Sequence, residues 1–163
     1  SGVLLRGCGS ATPTRSISND ELGKRVDTND EWIRSRTGIA ARRVVGADES
    51  LAELSGLAAE RALEMAGWQA DSLDLIVLAT STPDDLFGSA PRLQARLGAV
   101  NAVAFDLTAA CSGFLLASSP QLSTSAAVPC GASWSSVLIN SAAGWTGMTV
   151  VPVCSSGMPP EPL

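Results

Sequence analysis

The sequence predicts an α/β fold with a mostly parallel sheet, and three observations carry the prediction. Two largely apolar runs, Leu75-Ile76-Val77-Leu78-Ala79 and Val103-Ala104-Phe105-Asp106-Leu107, have the length of strands covered on both faces. Amphipathic stretches between and before them begin and end in helix-capping residues. Strand and helix patterns therefore alternate, as they do where helices connect neighbouring parallel strands.

Each element has a local reason. Val3-Leu4-Leu5 forms a short strand that runs into a turn at Gly7-Cys8-Gly9. Ser18 to Glu21 and Thr28 to Glu31 are capping boxes, so each opens a helix. Arg42-Arg43-Val44-Val45 reads as a strand edge. Ser50 to Glu53 opens a third helix that runs to Ala66 and stops at Gly67. Leu54, Ala58, Ala62 and Met65 make its buried stripe, and Glu53, Glu60 and Glu64 fall together on another side. Ser89 to Leu97 is a short helix that tolerates Pro91 only in its first turn. The run 103–107 is a second buried strand and leads straight to Cys111.

Composition narrows the function. The chain has 163 residues, 45% of them hydrophobic and 17% charged, as in a globular domain or half of a two-lobed protein. A net charge of −5 with no basic stretch argues against a nucleic-acid partner. There is no apolar run of about 18 residues to span a membrane, and the expected location is cytoplasmic. Cys8, Cys111, Cys130 and Cys154 show no paired spacing, and the chain has no histidine, so no metal site and no disulfide framework are expected. The missing histidine also removes the usual general base.

The chain changes character near Ala117. Residues 1–117 hold all 11 basic residues, whereas residues 118–160 are uncharged, and residues 118–163 contain ten serines and six prolines. That composition suggests a linker, yet Trp134, Val137-Leu138-Ile139, Trp145 and Val150-Val151 are too apolar for one. The domain reading is 1–117 as the folded part and 118–163 as a tail with little regular structure.

Cys111 sits among Ala109, Ala110, Ser112 and Gly113, between a strand and a helix start. Orphan N–H groups and the helix dipole at such an elbow favour a thiolate. The alternative is a small core hydrophobe, the commonest role of a free cysteine. Local sequence leaves both open.

Residues 1–117 resemble the N-terminal part of β-ketoacyl-acyl-carrier-protein synthase III, the condensing enzyme that starts bacterial fatty-acid synthesis. The resemblance rests on the run from Gly7 to Pro13, on Thr28 to Ile39 with Trp32 at its centre, on Leu75 to Ser81, and on Phe105 to Phe114 around Cys111. It implies an incomplete thiolase-like fold, the N-terminal one of two similar halves. It further implies that Cys111 accepts an acetyl group from acetyl-CoA, and that the thioester then condenses with malonyl-acyl carrier protein. Thr28, Trp32 and Arg36 would hold coenzyme A, with Trp32 stacking on the adenine and Arg36 reaching the phosphates. Phe87 would line the acyl pocket of a neighbouring subunit in a homodimer. Acetyl-CoA is then a substrate, and no separate cofactor is implied. Without the resemblance, Trp32 and Arg36 read as i,i+4 neighbours on an ordinary helix, Phe87 as loop packing, and Asp84-Asp85 as a solvated pair.

The departures are large. The family's histidine, asparagine and oxyanion-hole glycine come from the second half and have no counterpart here. Losing the acid-base group costs about 10²–10⁴ in rate, and losing an oxyanion donor about 10²–10³. Two rival readings follow: a catalytically dead coenzyme A-binding or dimerisation module, and another thiolase-fold acyltransferase such as a polyketide starter enzyme.

A change of reading frame near Ser118 accounts for the tail. Joining the last base of each codon to the first two of the next forces aspartate at Trp145–Thr146, aspartate at Met148–Thr149 and alanine at Met158–Pro159. With permitted codons, Gly144 to Pro162 can then encode Val-Asp-Trp-Asp-Asp-Arg-Arg-Thr-Cys-Val-Leu-Phe-Gly-Asp-Ala-Ala-Gly-Ala, which resembles the family's continuation.

Overall fold

The computed structural model describes the backbone of residues 3–109, 112–117, 135–141 and 148–155, and the side chains of 6–109 and 112–117. In chain order the elements are β1 (Val3–Leu5), β2 (Gly9–Ala11), β3 (Arg15–Ser18), α1 (Asn19–Gly23), α2 (Asp30–Thr37), β4 (Ala41–Val44) and α3 (Leu51–Ala66). A 3-10 turn over Ala70–Ser72 leads to β5 (Leu75–Thr80), α4 (Ala90–Leu97), β6 (Val103–Leu107), α5 (Gly113–Ala117), β7 (Ser135–Ser141) and β8 (Met148–Ser155). The main sheet has the order β1-β8-β7-β5-β6, with β2 also on β8. β5 runs parallel to both β6 and β7, while β8 is antiparallel to β7, β1 and β2. β3 and β4 form a separate antiparallel ribbon.

The capping residues work as the sequence predicts, with one shift. The Ser18 hydroxyl accepts from the Glu21 N–H and the Ser50 hydroxyl from the Glu53 N–H, both at 3.1 Å. Gly67 closes α3 in the left-handed region at φ 69°. The cap of α2, however, is Asn29 rather than Thr28: its Oδ1 accepts from the Trp32 N–H at 2.8 Å. Thr28 instead turns its hydroxyl out of solvent. Either side chain suits a cap, and the direction in which the chain enters the helix decides between them.

The core lies between α3, α4 and the sheet. Ala58, Ala59 and Ala62 are fully buried on α3, against Leu73, Ile76, Leu78 and Leu93. The helix comes so close to β2 that a Cβ on Gly9 would collide with the Ala58 carbonyl. All six residues of β5 are buried, as its continuous apolar run requires.

Three expectations are corrected. Met65 is 65% exposed rather than part of the buried stripe, because the last turn of α3 carries it past the core to meet Cys8, whose N–H lies 3.2 Å from the Met65 sulfur. β6 is not a buried strand: Val103 is 59% and Phe105 37% exposed, since β6 ends the sheet order among the described residues. The segment 118–163 contains two strands, β7 and β8, where little regular structure is expected. Their β-branched runs, Val137-Leu138-Ile139 and Val150-Val151, suit an extended backbone. Trp134 and Trp145 lie outside the described residues.

Candidate functional site

α1, α2 and β4 enclose a pocket of about 660 Å³. Leu22 and Val26, Thr28, Trp32 and Ile33, and the β4 residue Arg42 are among its walls. Ile33 is the only buried residue of α2, so the helix anchors through one side chain and leaves Trp32 54% exposed. Thr28 and Trp32 thus line one pocket. Arg36 stands one turn along the same helix with its guanidinium carbon 5.1 Å from the centroid of the Trp32 ring.

A buried asparagine holds the three walls together. Asn19 is 1% exposed; its amide donates to Asp30 Oδ1 at 2.8 Å and to the Ile39 carbonyl at 2.7 Å. Its Oδ1 accepts from Arg42 Nη2 at 3.2 Å. The hydrogen bond from Asn19, followed by that from Arg34, holds the Asp30 carboxyl below the usual carboxylate range. Both oxygens of Asp30 accept from Arg34 Nε, at 2.9 and 2.8 Å. One amide therefore fixes α1, α2 and β4 as a unit.

Two polar atoms on this unit are left over. The Thr28 hydroxyl and Arg42 Nη1 are shut off from solvent and have no hydrogen-bond partner among the described residues. Buried polar atoms without a protein partner are uncommon, and an ordered water, an ion or a ligand group ordinarily satisfies them. An aromatic ring, apolar walls and unpaired donors suit a molecule with a planar ring, an apolar portion and oxygen acceptors. The sequence analysis missed Arg42 and Asn19. No local motif marks them, because their roles arise only when β4 folds back beside α1 and α2.

The other predicted residues lie elsewhere. Phe87 is 90% exposed, beside Leu86 at 92%, on the connection between β5 and α4. This loop is tied down: Asp106 accepts from the Ser89 and Ala90 N–H groups at 2.7–3.0 Å, and Asp84 accepts from Leu51 and Ala52 at the start of α3. Asp84 is thus a helix cap rather than one of a solvated pair. Cys111 lies outside the described residues. The chain on either side forms the expected strand and helix, β6 and α5. The Ser112 N–H donates to the Ala109 carbonyl at 3.0 Å, and a Cβ on Gly113 would sit 2.9 Å from the Ala79 Cβ. The helix start therefore presses onto β5. Among the described residues no group of three or more His, Cys, Asp or Glu could hold a metal ion, and no helix is long and apolar enough to cross a membrane.

Known proteins resemble the chain in sequence and in backbone. It is 74% identical over 117 residues to the β-ketoacyl-[acyl-carrier-protein] synthase III of Prochlorococcus marinus strain MIT 9313, covering 72% of this chain and 34% of the relative. The chain thus spans about a third of the length of the curated relatives it matches. The crystal structure of 3-oxoacyl-[acyl-carrier-protein] synthase III from Aquifex aeolicus VF5 superposes with a TM-score of 0.82 at 33% identity, over 95% of this chain and 54% of that one. The priming β-ketosynthase of the R1128 polyketide pathway superposes with a TM-score of 0.78 at 32% identity, over 96% of this chain and 51% of that one. No family model matches.

The sheet, its helices and these superpositions define an incomplete thiolase-like fold of the condensing-enzyme class. Within that class, the matched stretch is similar to the N-terminal part of β-ketoacyl-[acyl-carrier-protein] synthase III.

Proposed function

We propose that the chain carries the acyl-accepting part of a β-ketoacyl-acyl-carrier-protein synthase III. In this reading the Cys111 thiolate attacks the carbonyl carbon of acetyl-CoA. The bond from that carbon to the coenzyme's sulfur breaks, and the departing thiolate takes up the proton that Cys111 gave up. Trp32, Thr28 and Arg36 hold the coenzyme, which is a substrate, and no further cofactor takes part. The observation that carries the reading is the pocket uniting Thr28 and Trp32, on a chain 74% identical over 117 residues to a synthase III. In the whole enzyme the acyl group would then condense with malonyl-acyl carrier protein in the cytoplasm. The exposed β6 edge and the exposed Leu86 and Phe87 support a homodimer joined on that side.

A second reading, a coenzyme A-binding module without turnover, is favoured by the absence of any histidine. Incubating the chain with acetyl-CoA and mapping peptides by mass spectrometry separates the two. Acetylation at Cys111, lost in Cys111→Ser, is the expected result. Coenzyme A binding without acetylation would leave only the module. The unsubstituted chain is expected to release no carbon dioxide from malonyl-acyl carrier protein above background; Cys111-dependent release would show that the missing groups are dispensable.

We also propose that residues 118–163 are translated out of frame. The forced codons at Trp145, Met148 and Met158 support this reading. Sequencing the encoding DNA around codon 118 tests it, and an uninterrupted frame there that no single-base change converts to the family pattern would end it.

A further inference from the structure

Helix α4 takes its cap from another strand. Ser89 stands at its N-cap position, where a serine hydroxyl ordinarily accepts from its own helix. Its backbone is helical there, at φ −105° and ψ −17°, and among the described residues the hydroxyl makes no such bond. Fully buried, it accepts instead from the Asp84 N–H at 2.8 Å. The first N–H groups of α4 go to Asp106 of β6, whose two oxygens accept from Ser89 at 3.0 and 2.9 Å and from Ala90 at 2.7 Å. Gly88, at φ 91°, makes room: a Cβ there would lie 3.1 Å from the Asp106 carboxylate. Asp84 in turn accepts from the Leu51 and Ala52 N–H groups of α3 at 3.0 and 3.1 Å. A line of hydrogen bonds, most of them to carboxylates and therefore strong, thus runs from β6 through Asp106, Ser89 and Asp84 to α3. The exposed Leu86 and Phe87 stand between the two braced residues, Asp84 and Ser89.

We infer that Asp106 is a positioning residue: it fixes the Leu86–Phe87 tip relative to β6, the strand that leads to Cys111. A cap alone could come from the Ser89 hydroxyl. Drawing the cap from β6 frees that hydroxyl to hold Asp84, so one carboxylate sets both ends of the segment that bears Phe87. The loops after β5 and β6 are also tied directly, the Thr108 hydroxyl donating to the Thr80 carbonyl at 3.2 Å. Both loops leave the carboxyl ends of parallel strands, where α/β folds place their sites. The inference rests on the synthase reading for what Phe87 meets, an acyl group on Cys111 of a neighbouring copy. The brace itself does not. In that reading the place of the tip sets the depth of the acyl pocket, so Asp106 acts on which acyl group is accepted.

The test compares the full chain with Asp106→Ala and with Asp106→Asn, which keeps an oxygen to accept from the two N–H groups. In hydrogen exchange read by mass spectrometry, Asp106→Ala should speed peptides within 81–90 by at least about tenfold and leave α3 as protected as before. Asp106→Asn should stay near the unsubstituted chain. Labelling of Cys111 by acetyl-CoA and by hexanoyl-CoA gives a ratio that Asp106→Ala should shift by about three- to tenfold toward hexanoyl and Asp106→Asn should restore. Unchanged exchange at 81–90, or an equal rise across α3, would overturn the inference. So would slower labelling by both thioesters at an unchanged ratio, the mark of a cap for α4 and nothing more. If Asp106→Ala does not fold, Ser89→Ala decides: it leaves the Asp106 bonds in place and frees Asp84, so exchange at 81–88 should rise, and no rise would overturn the inference. If neither thioester labels Cys111 in the unsubstituted chain, the synthase reading fails, and exchange alone decides whether Asp106 holds the tip.

Discussion

Residues 1–117 and residues 118–163 share one sheet but are built differently. In the first region, separate devices agree with one another. Ser18, Asn29 and Ser50 cap helices, Gly67 and Gly98 end them in the left-handed region, and a continuous core joins α3, α4 and β5. In the second, β8 carries Pro152 opposite Val137 in the interior of the sheet, between β7 and the β1–β2 edge. Proline cannot donate to a ladder and is ordinarily confined to edges and bulges. Agreement across levels marks a sequence selected for its fold. The contrast teaches that apolar, β-branched runs suit a strand by themselves, whereas the first region adds caps and a continuous core to them.

The largest expected effect sharpens that contrast directly. Leu78 on β5 is fully buried, and Leu78→Ala should cost about 2–5 kcal/mol in urea unfolding. Its register partner on β7 is Ile139. If residues 118–163 are out of frame, Ile139→Ala should cost less, under about 1 kcal/mol. Equal costs would break the comparison.

A smaller effect is expected at Gly56. There α3 leaves room for Arg96 of α4, which reaches Glu53 at 3.0 Å and Glu60 at 2.7 Å. Burial works against the Arg96 charge, but the hydrogen bonds to both glutamates outweigh it and raise its pKa. A Cβ on Gly56 would collide with the guanidinium. Gly56→Ala should therefore destabilise by about 1–2 kcal/mol, although alanine favours a helix. A gain in melting temperature would show that Arg96 moves aside without loss.

What was legible in the sequence was local. Caps at Ser18 and Ser50, the stop at Gly67 and the buried run of β5 all follow from a few adjacent residues. β2 and β3 were missed because each is three or four residues long and exists only through its partner, β8 or β4. The exposure of Met65 and Val103 depends on where the core ends, which no periodicity records. At the pocket, Trp32 and Thr28 lie in a stretch the sequence marks through its resemblance to a family. Asn19 and Arg42 were not legible, since a network joining residues 19, 30, 39 and 42 has no sequence spacing of its own.

The smallest effect concerns that network. The pKa of Asp30 is lowered in the folded chain, so its stabilisation is present above the ordinary carboxylate range and is lost as pH falls through the lowered value. As pH falls through and below the ordinary carboxylate range the α1–α2–β4 corner should loosen, seen as a change in the Trp32 signal. Asp30→Asn should flatten that dependence. An unchanged acid profile in the variant would remove Asp30 as its source.

Native-state hydrogen exchange read by mass spectrometry compares the two regions most directly. The account predicts that peptides covering α3 (Leu51–Ala66) are strongly protected, while those covering β7 (Ser135–Ser141) and β8 (Met148–Ser155) exchange at least about tenfold faster. β5 should fall between them, because its alternate amides face β6 and β7. Protection of β7 and β8 equal to that of α3 would contradict the account and show that residues 118–163 were selected to fold.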